Sequence, residues 1–340
     1  MGQRRRHMRS NLPYVLILVP LLFGGRSIAA QSFSFETIDV PCSDCPNGIA
    51  RRTAIGGINP RGDIVGVYTD AVGRQHGFLL SNGTFATIDV PGALAGVDGT
   101  LPTVARGISP SGKIVGQYTA PVNAAVPQDS PAYCPAVGSA ACTKGFLYSH
   151  GEFATVVFPG HPGAIPGRIT PDGGMYGCFH DFDVMASMFS ATWNRFGTTS
   201  LAAGGGDVAD ATMSFPNSMH GGATPDGRTV VGFYTDMITG RQHGYVIENG
   251  FLQSFDVALS IRTVIWDINP ADDFVGTYDD TDGARHGFLQ LHNGSAPMVI
   301  DYPGAVATIA MGINPAGAIV GQYTDTKGRT HGLLVKPSNK

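Results

Sequence analysis

Four histidines recur in this sequence, and each follows an aspartate by six or seven residues. The pairs are Asp70 and His76, Asp236 and His243, Asp280 and His286, and Asp325 and His331. Imidazole and carboxylate groups bind metal ions or hydrogen-bond one another. A metal needs all its donors within about 2–2.5 Å of one point. Positions that recur along a chain are spread through the fold, so we expect each pair to be structural and to close its own hairpin. A shared metal ring is the alternative.

One of these segments also resembles a calcium loop. "DDTDGARHG", Asp279–Gly287, contains an Asp-x-Asp-Gly core. It lacks the later glutamate that binds calcium through both oxygens. A polar hairpin explains the segment equally well, so we expect no cofactor, with calcium as an alternative.

Six other residues are better candidates for ligand binding, because they interrupt a repeated phrase. They are Arg106, His180, Asp181, Asp183, Trp266 and Asp267. Guanidinium, indole, imidazole and carboxylate groups around one opening could bind a sugar or an anion. A hydrolase with paired carboxylates would need two such groups about 5–9 Å apart. The alternative explanation is that these departures are random sequence changes in imperfect repeats and have no function.

The repeated phrase is G-I-N-P-x-G-x-I-V-G-x-Y. Its six copies begin at Gly57, Gly107, Arg168, Gly222, Asp267 and Gly312. The second glycine of the phrase falls at Gly66, Gly116, Gly177, Gly232, Gly276 and Gly321, with spacings of 50, 61, 55, 44 and 45 residues. Self-similarity at this period is typical of proteins built from repeated supersecondary units.

The sequence of each repeat predicts four short antiparallel strands. Asn-Pro-x-Gly forms the first turn. Asn-Gly at Asn82, Asn249 and Asn293, with His150-Gly151 in the second repeat, predicts a type I′ hairpin between strands three and four. Such a module of about 45 residues is a β-propeller blade. We therefore predict an all-β, six-bladed propeller over residues 31–340, with blades at about 48–91, 104–160, 163–203, 218–258, 263–303 and 308–336.

The last repeat stops before its fourth strand. The missing phrase stands alone near the N-terminus as "FSFETIDVP", Phe33–Pro41. If this segment pairs with the last blade, the ring closes and two exposed strand edges disappear. An open solenoid is the alternative, but it would leave both ends unpaired.

The phrase V-G-x-Y-x-D-x-x-G-x-x-H-G-F is similar to the HAF repeats of extracellular bacterial proteins. Its tripeptide begins at His76, His243, His286 and His331, and the second repeat has Lys144-Gly145-Phe146 instead. The resemblance covers nearly all of residues 31–340. It implies an exported protein of bacterial type and carries no activity.

Residues 1–30 differ from the rest. A basic start, an apolar core at Tyr14–Phe23 and small residues before Gln31 predict a cleaved signal peptide. A membrane anchor is the alternative, but the core is too short for about 30 Å of hydrocarbon. Cleavage would remove five arginines and no acids, leaving 17 basic and 26 acidic residues and a net charge of −9. An acidic chain without a basic run excludes nucleic acid as a partner.

Export permits disulfides among the five cysteines. We predict bridges Cys42–Cys45 and Cys134–Cys142, which leave Cys178 over. Redox chemistry or metal binding by the Cys-x-x-Cys motif is the alternative, but no second such motif completes a zinc site.

We therefore expect a secreted or periplasmic monomer that acts as a binding or scaffolding module without a cofactor. A glycan, a small ligand or an envelope protein would be its partner. The alternative is a carbohydrate-active hydrolase or lyase with its site at the mouth of the central channel.

Overall fold

The chain is built almost entirely of short antiparallel strands. The structure, a computed structural model, describes residues 32–93, 103–126, 134, 141–157, 163–180, 188–193, 199–200 and 218–338. Strand β1 spans Phe33–Ile38, and a 3-10 turn at Pro46–Gly48 precedes the first repeat. Within these ranges, no helix is long and apolar enough to cross a membrane.

The first three repeats contain strands β2 to β13. Repeat one contains β2 (Arg52–Ile58), β3 (Ile64–Thr69), β4 (Gln75–Ser81) and β5 (Thr84–Ile88). Repeat two contains β6 (Thr103–Ile108), β7 (Ile114–Pro121), β8 (Ala141–Ser149) and β9 (Glu152–Val156). Repeat three contains β10 (Gly163–Ile169), β11 (Met175–His180), β12 (Met188–Trp193) and β13 (Thr199–Ser200).

The last three repeats contain strands β14 to β24. Repeat four contains β14 (Met219–Ala223), β15 (Thr229–Thr235), β16 (Gln242–Glu248) and β17 (Phe251–Phe255). Repeat five contains β18 (Arg262–Ile268), β19 (Phe274–Asp279), β20 (Arg285–Gln290) and β21 (Met298–Ile300). Repeat six contains β22 (Ala307–Ile313), β23 (Ile319–Thr324) and β24 (Thr330–Pro337).

Consecutive strands within a repeat pair as an antiparallel meander. Repeats one to four each form a four-stranded sheet, and one parallel bridge between Arg285 and Ala307 joins repeats five and six into an eight-stranded sheet. The fully buried aromatic rings of Phe78, Phe146 and Phe288 come from the third strand of their repeats. The phrase His-Gly-Phe thus places its aromatic residue in the core between sheets, where it supplies much of the buried apolar area.

The second glycine of the phrase is required by the closeness of neighbouring strands. A Cβ atom at Gly66 would collide with the backbone carbonyl of Ala54 on β2 and with the ring of Phe78 on β4. Gly276 meets the same two obstacles in repeat five, from Val264 and Phe288. The glycine therefore leaves room for an aromatic ring on the adjacent strand.

The hairpin turns follow the predicted type I′ geometry with one exception. Asn82 and Gly83 have φ of 49° and 76°, and Asn249 and Gly250 have 51° and 83°. Asn293 has no positive φ, so the prediction of a type I′ turn there is wrong. The loop is longer at this point, and the Asn293 side chain accepts the backbone N–H of Ser295 at 3.0 Å. The side chain thereby forms an Asx turn in place of the two-residue hairpin.

The N-terminal strand completes the sheet of the last repeat. β1 pairs antiparallel with β24 in a register from Phe33 opposite Pro337 to Ile38 opposite Gly332. First strands of successive repeats contact one another, and β22 also contacts β2. The Asn314 side chain of repeat six donates to the Asn59 carbonyl of repeat one at 3.3 Å. The two ends of the repeat array therefore lie side by side.

The structure contains the two predicted disulfides. Cys42 is bonded to Cys45 and Cys134 to Cys142, with Cα–Cα distances of 5.3 and 6.0 Å. Cys178 belongs to neither bridge and is buried in β11. Burial raises the pKa of the Cys178 thiol to about 12, which makes it a poor nucleophile.

Candidate functional site

The four recurring histidines all pair with the aspartate that directly follows the outer strand of their own sheet, which is the fourth strand of the repeat or, for His331, β1. The Nδ1–Oδ2 distances are 2.7 Å for His76–Asp89, 2.7 Å for His243–Asp256, 2.7 Å for His286–Asp301 and 2.8 Å for His331–Asp39. These four aspartates are not among the residues predicted from the sequence. The signal was present in the phrase "IDV" and its variants, whose aspartate recurs in register with each histidine.

The other ring nitrogen, Nε2, lies near the hairpin aspartate in His76, His286 and His331. His286 Nε2 lies 3.3 Å from Asp280 Oδ2, and the ring stacks on Tyr278 at a centroid distance of 5.0 Å. Asp280 Oδ1 accepts the backbone N–H groups of Asp282 and Ala284 and so shapes the hairpin. Each histidine is thus held locally, and within the described ranges no three His, Cys, Asp or Glu side chains are grouped for a metal.

Where the first strands meet, a cavity of about 280 Å³ is lined by residues of all six repeats. Every first strand has a β-bulge opposite the second strand, and the extra residue has no pairing partner. The bulged residues are Gly56, Arg106, Gly167, Gly221, Trp266 and Met311, and all six line the cavity. A bulge redirects a side chain without changing the rest of the strand. The repeat therefore has one position at which each blade can contribute a different group to the cavity.

Arginines dominate the polar lining of this cavity. Arg52, Arg106, Arg168, Arg262 and Arg285 all reach it. Of these five, only Arg106 is predicted from the sequence as a ligand-binding residue. Arg168 could have been found by the same reasoning, since it replaces the glycine that opens the phrase in four repeats.

Arg168 lines this cavity and a second one of about 140 Å³, so it lies between them. Its guanidinium donates to the backbone carbonyls of Arg106 at 3.1 Å, of Gly167 at 2.8 Å and of Met311. Its Nε is 3.2 Å from Asp267 Oδ1, close enough for an ion pair although the N–H is not aligned for a hydrogen bond. Arg168 thus forms a floor beneath the first cavity.

The second cavity lies beyond this floor, among the turns between strands one and two. Its lining includes one proline from each repeat, namely Pro60, Pro110, Pro171, Pro225, Pro270 and Pro315. These prolines belong to the turn that every repeat shares. They therefore do not distinguish one repeat from another and do not indicate a binding site.

A second carboxylate, Asp279, lies beside the wall of the first cavity. Arg285 contacts both of its oxygens, at 2.8 and 2.9 Å, and Arg262 Nη1 lies 3.8 Å away. The hydrogen bond from Arg285 holds the pKa of Asp279 below its usual range despite burial. Asp279 is therefore an anchored carboxylate and a poor proton donor.

The structure brings three of the six residues selected from the sequence to this region. Arg106 and Trp266 line the first cavity, and Asp267 lies at its floor. His180 ends β11, but its side chain lies outside what the structure describes, and so do Asp181 and Asp183. A catalytic role for those carboxylates stays a prediction.

A buried polar pair lies between the third and fourth repeats. Tyr245 Oη is 2.5 Å from His220 Nδ1 and also donates to the Met219 carbonyl at 3.2 Å. Burial lowers the pKa of His220 to about 3, so the ring is neutral at physiological pH. These residues replace apolar ones of other repeats, and the hydrogen bond compensates for only part of the change, because His220 Nε2 is buried without a partner among the described residues.

No protein-family model matches the chain, and no curated protein matches it. Among solved structures, the chain is similar to TolB from Acinetobacter baumannii, with a TM-score of 0.51 and 13% identity over 82% of this chain and 65% of TolB. It thus spans less than two thirds of the TolB chain. It is also similar to the β-propeller domain of the Trilobed protease from Pyrococcus furiosus, with a TM-score of 0.47 and 9% identity over 86% of this chain and 95% of that domain. With the four-stranded meanders, the likeness to TolB defines the chain as an all-β protein with a β-propeller fold.

Proposed function

We propose that this chain is an exported six-bladed β-propeller that acts as a binding or scaffolding module in the periplasm, at the cell surface or outside the cell. Its binding site is the 280 Å³ cavity. The HAF-like phrase and the basic, then apolar, N-terminal segment support export. The two disulfides favour an oxidising compartment.

Three observations support six blades and a closed ring. The phrase occurs six times, β1 pairs with β24, and first strands contact their neighbours from β2 round to β22. A closed ring buries both faces of every sheet and leaves no long strand edge.

The observation that carries the binding function is the set of bulged residues. Blade architecture requires neither Arg106 nor Trp266, because glycine occupies the same bulge in three other repeats. Both side chains nonetheless line a cavity close in size to small-ligand sites. Their presence is best explained by a ligand.

A carbohydrate-active hydrolase or lyase is the second candidate. Asp267 and Asp279 are both held by arginine, and neither is arranged as a general acid beside a free base. A hydrolase would therefore rest on Asp181 and Asp183. A binding module needs no such residues, and the described part of the cavity favours it.

The test is a glycan and polysaccharide array together with a thermal-shift screen of small molecules. We expect at least one compound to bind wild-type protein and not to bind Trp266→Ala. Phe251→Ala is the matched control, since Phe251 is 76% exposed and lies on β17. Compounds that bind Trp266→Ala as tightly as wild-type protein would contradict this binding site. Release of cleaved products would establish the hydrolase instead.

A further inference from the structure

The cavity contains more positive charge than its neighbouring carboxylates can balance. Five arginines line it, and the only acidic side chains that the described residues pair with them are Asp267 and Asp279. Arg168 pairs with the first, and Arg285 pairs with the second through two hydrogen bonds. The excess is a local feature, because the chain as a whole has a net charge of −4.

Arg52 and Arg106 account for most of this excess. No described residue forms a hydrogen bond or ion pair with the Arg52 guanidinium. Arg106 donates through Nε to Gln117 Oε1 at 2.8 Å, and no carboxylate of the described residues pairs with it. Burial lowers the pKa of both side chains. Partly buried cations without an anion are costly, so a bound anion would relieve them.

Two further donors on the same wall are buried without a partner. Trp266 Nε1 and Thr277 Oγ1 are both inaccessible to solvent and form no hydrogen bond with described residues. Thr277 is only 2% exposed. Both residues line the cavity, but because no water molecule reaches either donor atom, a ligand there could accept their hydrogen bonds only after the side chains move.

From this excess of positive charge we infer that the cavity binds a small molecule with an oxyanionic group, which is a carboxylate or a phosphate, and that Arg52 and Arg106 pair with this group. The inference rests on the proposed binding function and names its ligand class. Trp266, Met219 and Met311 supply an apolar surface for the uncharged part of the ligand. The volume of about 280 Å³ and the Arg168 floor suit a molecule the size of a sugar acid that enters from one end.

The experiment is isothermal titration calorimetry with four probes, compared at one ionic strength and then repeated at higher salt. D-Glucuronate and D-glucose differ in a carboxylate, while glucose 6-phosphate and inorganic phosphate test the phosphate group. We expect saturable millimolar or tighter binding of at least one oxyanion and none of glucose. Affinity should fall as salt rises, because counterions screen the guanidinium groups. A carboxylate ligand would favour glucuronate, and a phosphate ligand the other two probes.

The matched variants are Arg52→Gln, Arg106→Gln and Arg51→Gln. We expect the first two to weaken binding roughly tenfold or more each, as for loss of a charge-assisted hydrogen bond. Arg51→Gln removes the same charge from an exposed neighbour outside the cavity and should change nothing. Arg52→Gln should also keep the melting temperature, because no described partner is lost.

Two results would overturn the inference. One is the absence of saturable oxyanion binding, and the other is unchanged binding in the Arg52→Gln/Arg106→Gln double variant. If a neutral compound from the array binds wild-type protein and is lost from Trp266→Ala, the binding function stands and only the ligand class is wrong.

Discussion

Arg168 and Asp267 occupy the same position in two different repeats and form an ion pair, with Nε 3.2 Å from Oδ1. In the other four repeats this position is glycine. Both side chains are largely buried, at 13% and 12% exposed. Asp267 also accepts the backbone N–H groups of Ile268 and Ile313, at 3.0 and 3.1 Å. Two substitutions that would each bury an isolated charge thus compensate one another between repeats three and five.

The pair should behave as a unit in unfolding experiments. Arg168→Gly or Asp267→Gly alone leaves a buried charge without its partner and should cost about 3–5 kcal/mol. The double variant restores the glycine of the other repeats and should recover most of that loss. Urea unfolding of the four proteins gives the coupling energy. Additive losses would show that the two side chains do not stabilise one another.

The histidine–aspartate pairs should contribute to stability in a pH-dependent way. Burial lowers the pKa of His286, but hydrogen bonds to Asp301 and Asp280 outweigh it, so the net shift is upward. A raised folded pKa means that the stabilisation is complete below the unfolded value of about 6.5 and is lost as pH rises through the folded pKa.

His286→Ala should therefore cost about 1–2 kcal/mol at about pH 6 and less as pH rises toward 8. Urea unfolding across that range measures the difference. His292→Ala is the control, because His292 is exposed and its side chain forms none of these bonds. A loss for His286→Ala that grows with pH would contradict the raised pKa.

Deleting Phe33–Pro41 should strongly destabilise the protein. The deletion removes β1, exposes the edge of β24 and leaves His331 without Asp39. An exposed edge promotes aggregation. Thermal unfolding with light scattering measures both effects, and Glu36→Ala, which changes one exposed side chain of β1, is the control. A deletion variant with the melting temperature of the full chain would rule out closure by this strand.

Thiol titration should find one reactive thiol only after unfolding. In the folded state, burial and a pKa of about 12 protect Cys178. In unreduced, unfolded protein the four bridged cysteines stay protected. Five thiols in that state would mean that neither bridge forms in the isolated protein.

The repeat itself could be read from the sequence because each blade is a local structure. The turn residues, the alternation of apolar positions and the six phrases predict four-stranded meanders. The misassigned turn at Asn293 shows the limit of this reasoning, since a longer loop lets a side chain cap the turn. The two disulfides followed from short spacing, since Cys42–Cys45 and Cys134–Cys142 each span a few residues.

The cavity could be predicted only in part. Departures from the repeat identified Arg106, Trp266 and Asp267, because comparison of the six copies of the phrase shows which residues the other copies lack. Arg52, Arg262 and Arg285 gave no such signal. They lie at the starts of strands, where a charged residue is usually exposed.

The sequence by itself determined the blades, their turns and the residues that depart from the repeat, since all of these depend on neighbours in the chain. The tertiary structure decided which departures meet. Arg168 and Asp267 are distant in sequence, and only the packing of first strands around a common centre places them 3.2 Å apart. The same packing gathers arginines from separate repeats around one cavity. Charged side chains interact through space and not along the chain. The positive charge of the cavity therefore depends on which repeats the fold brings together.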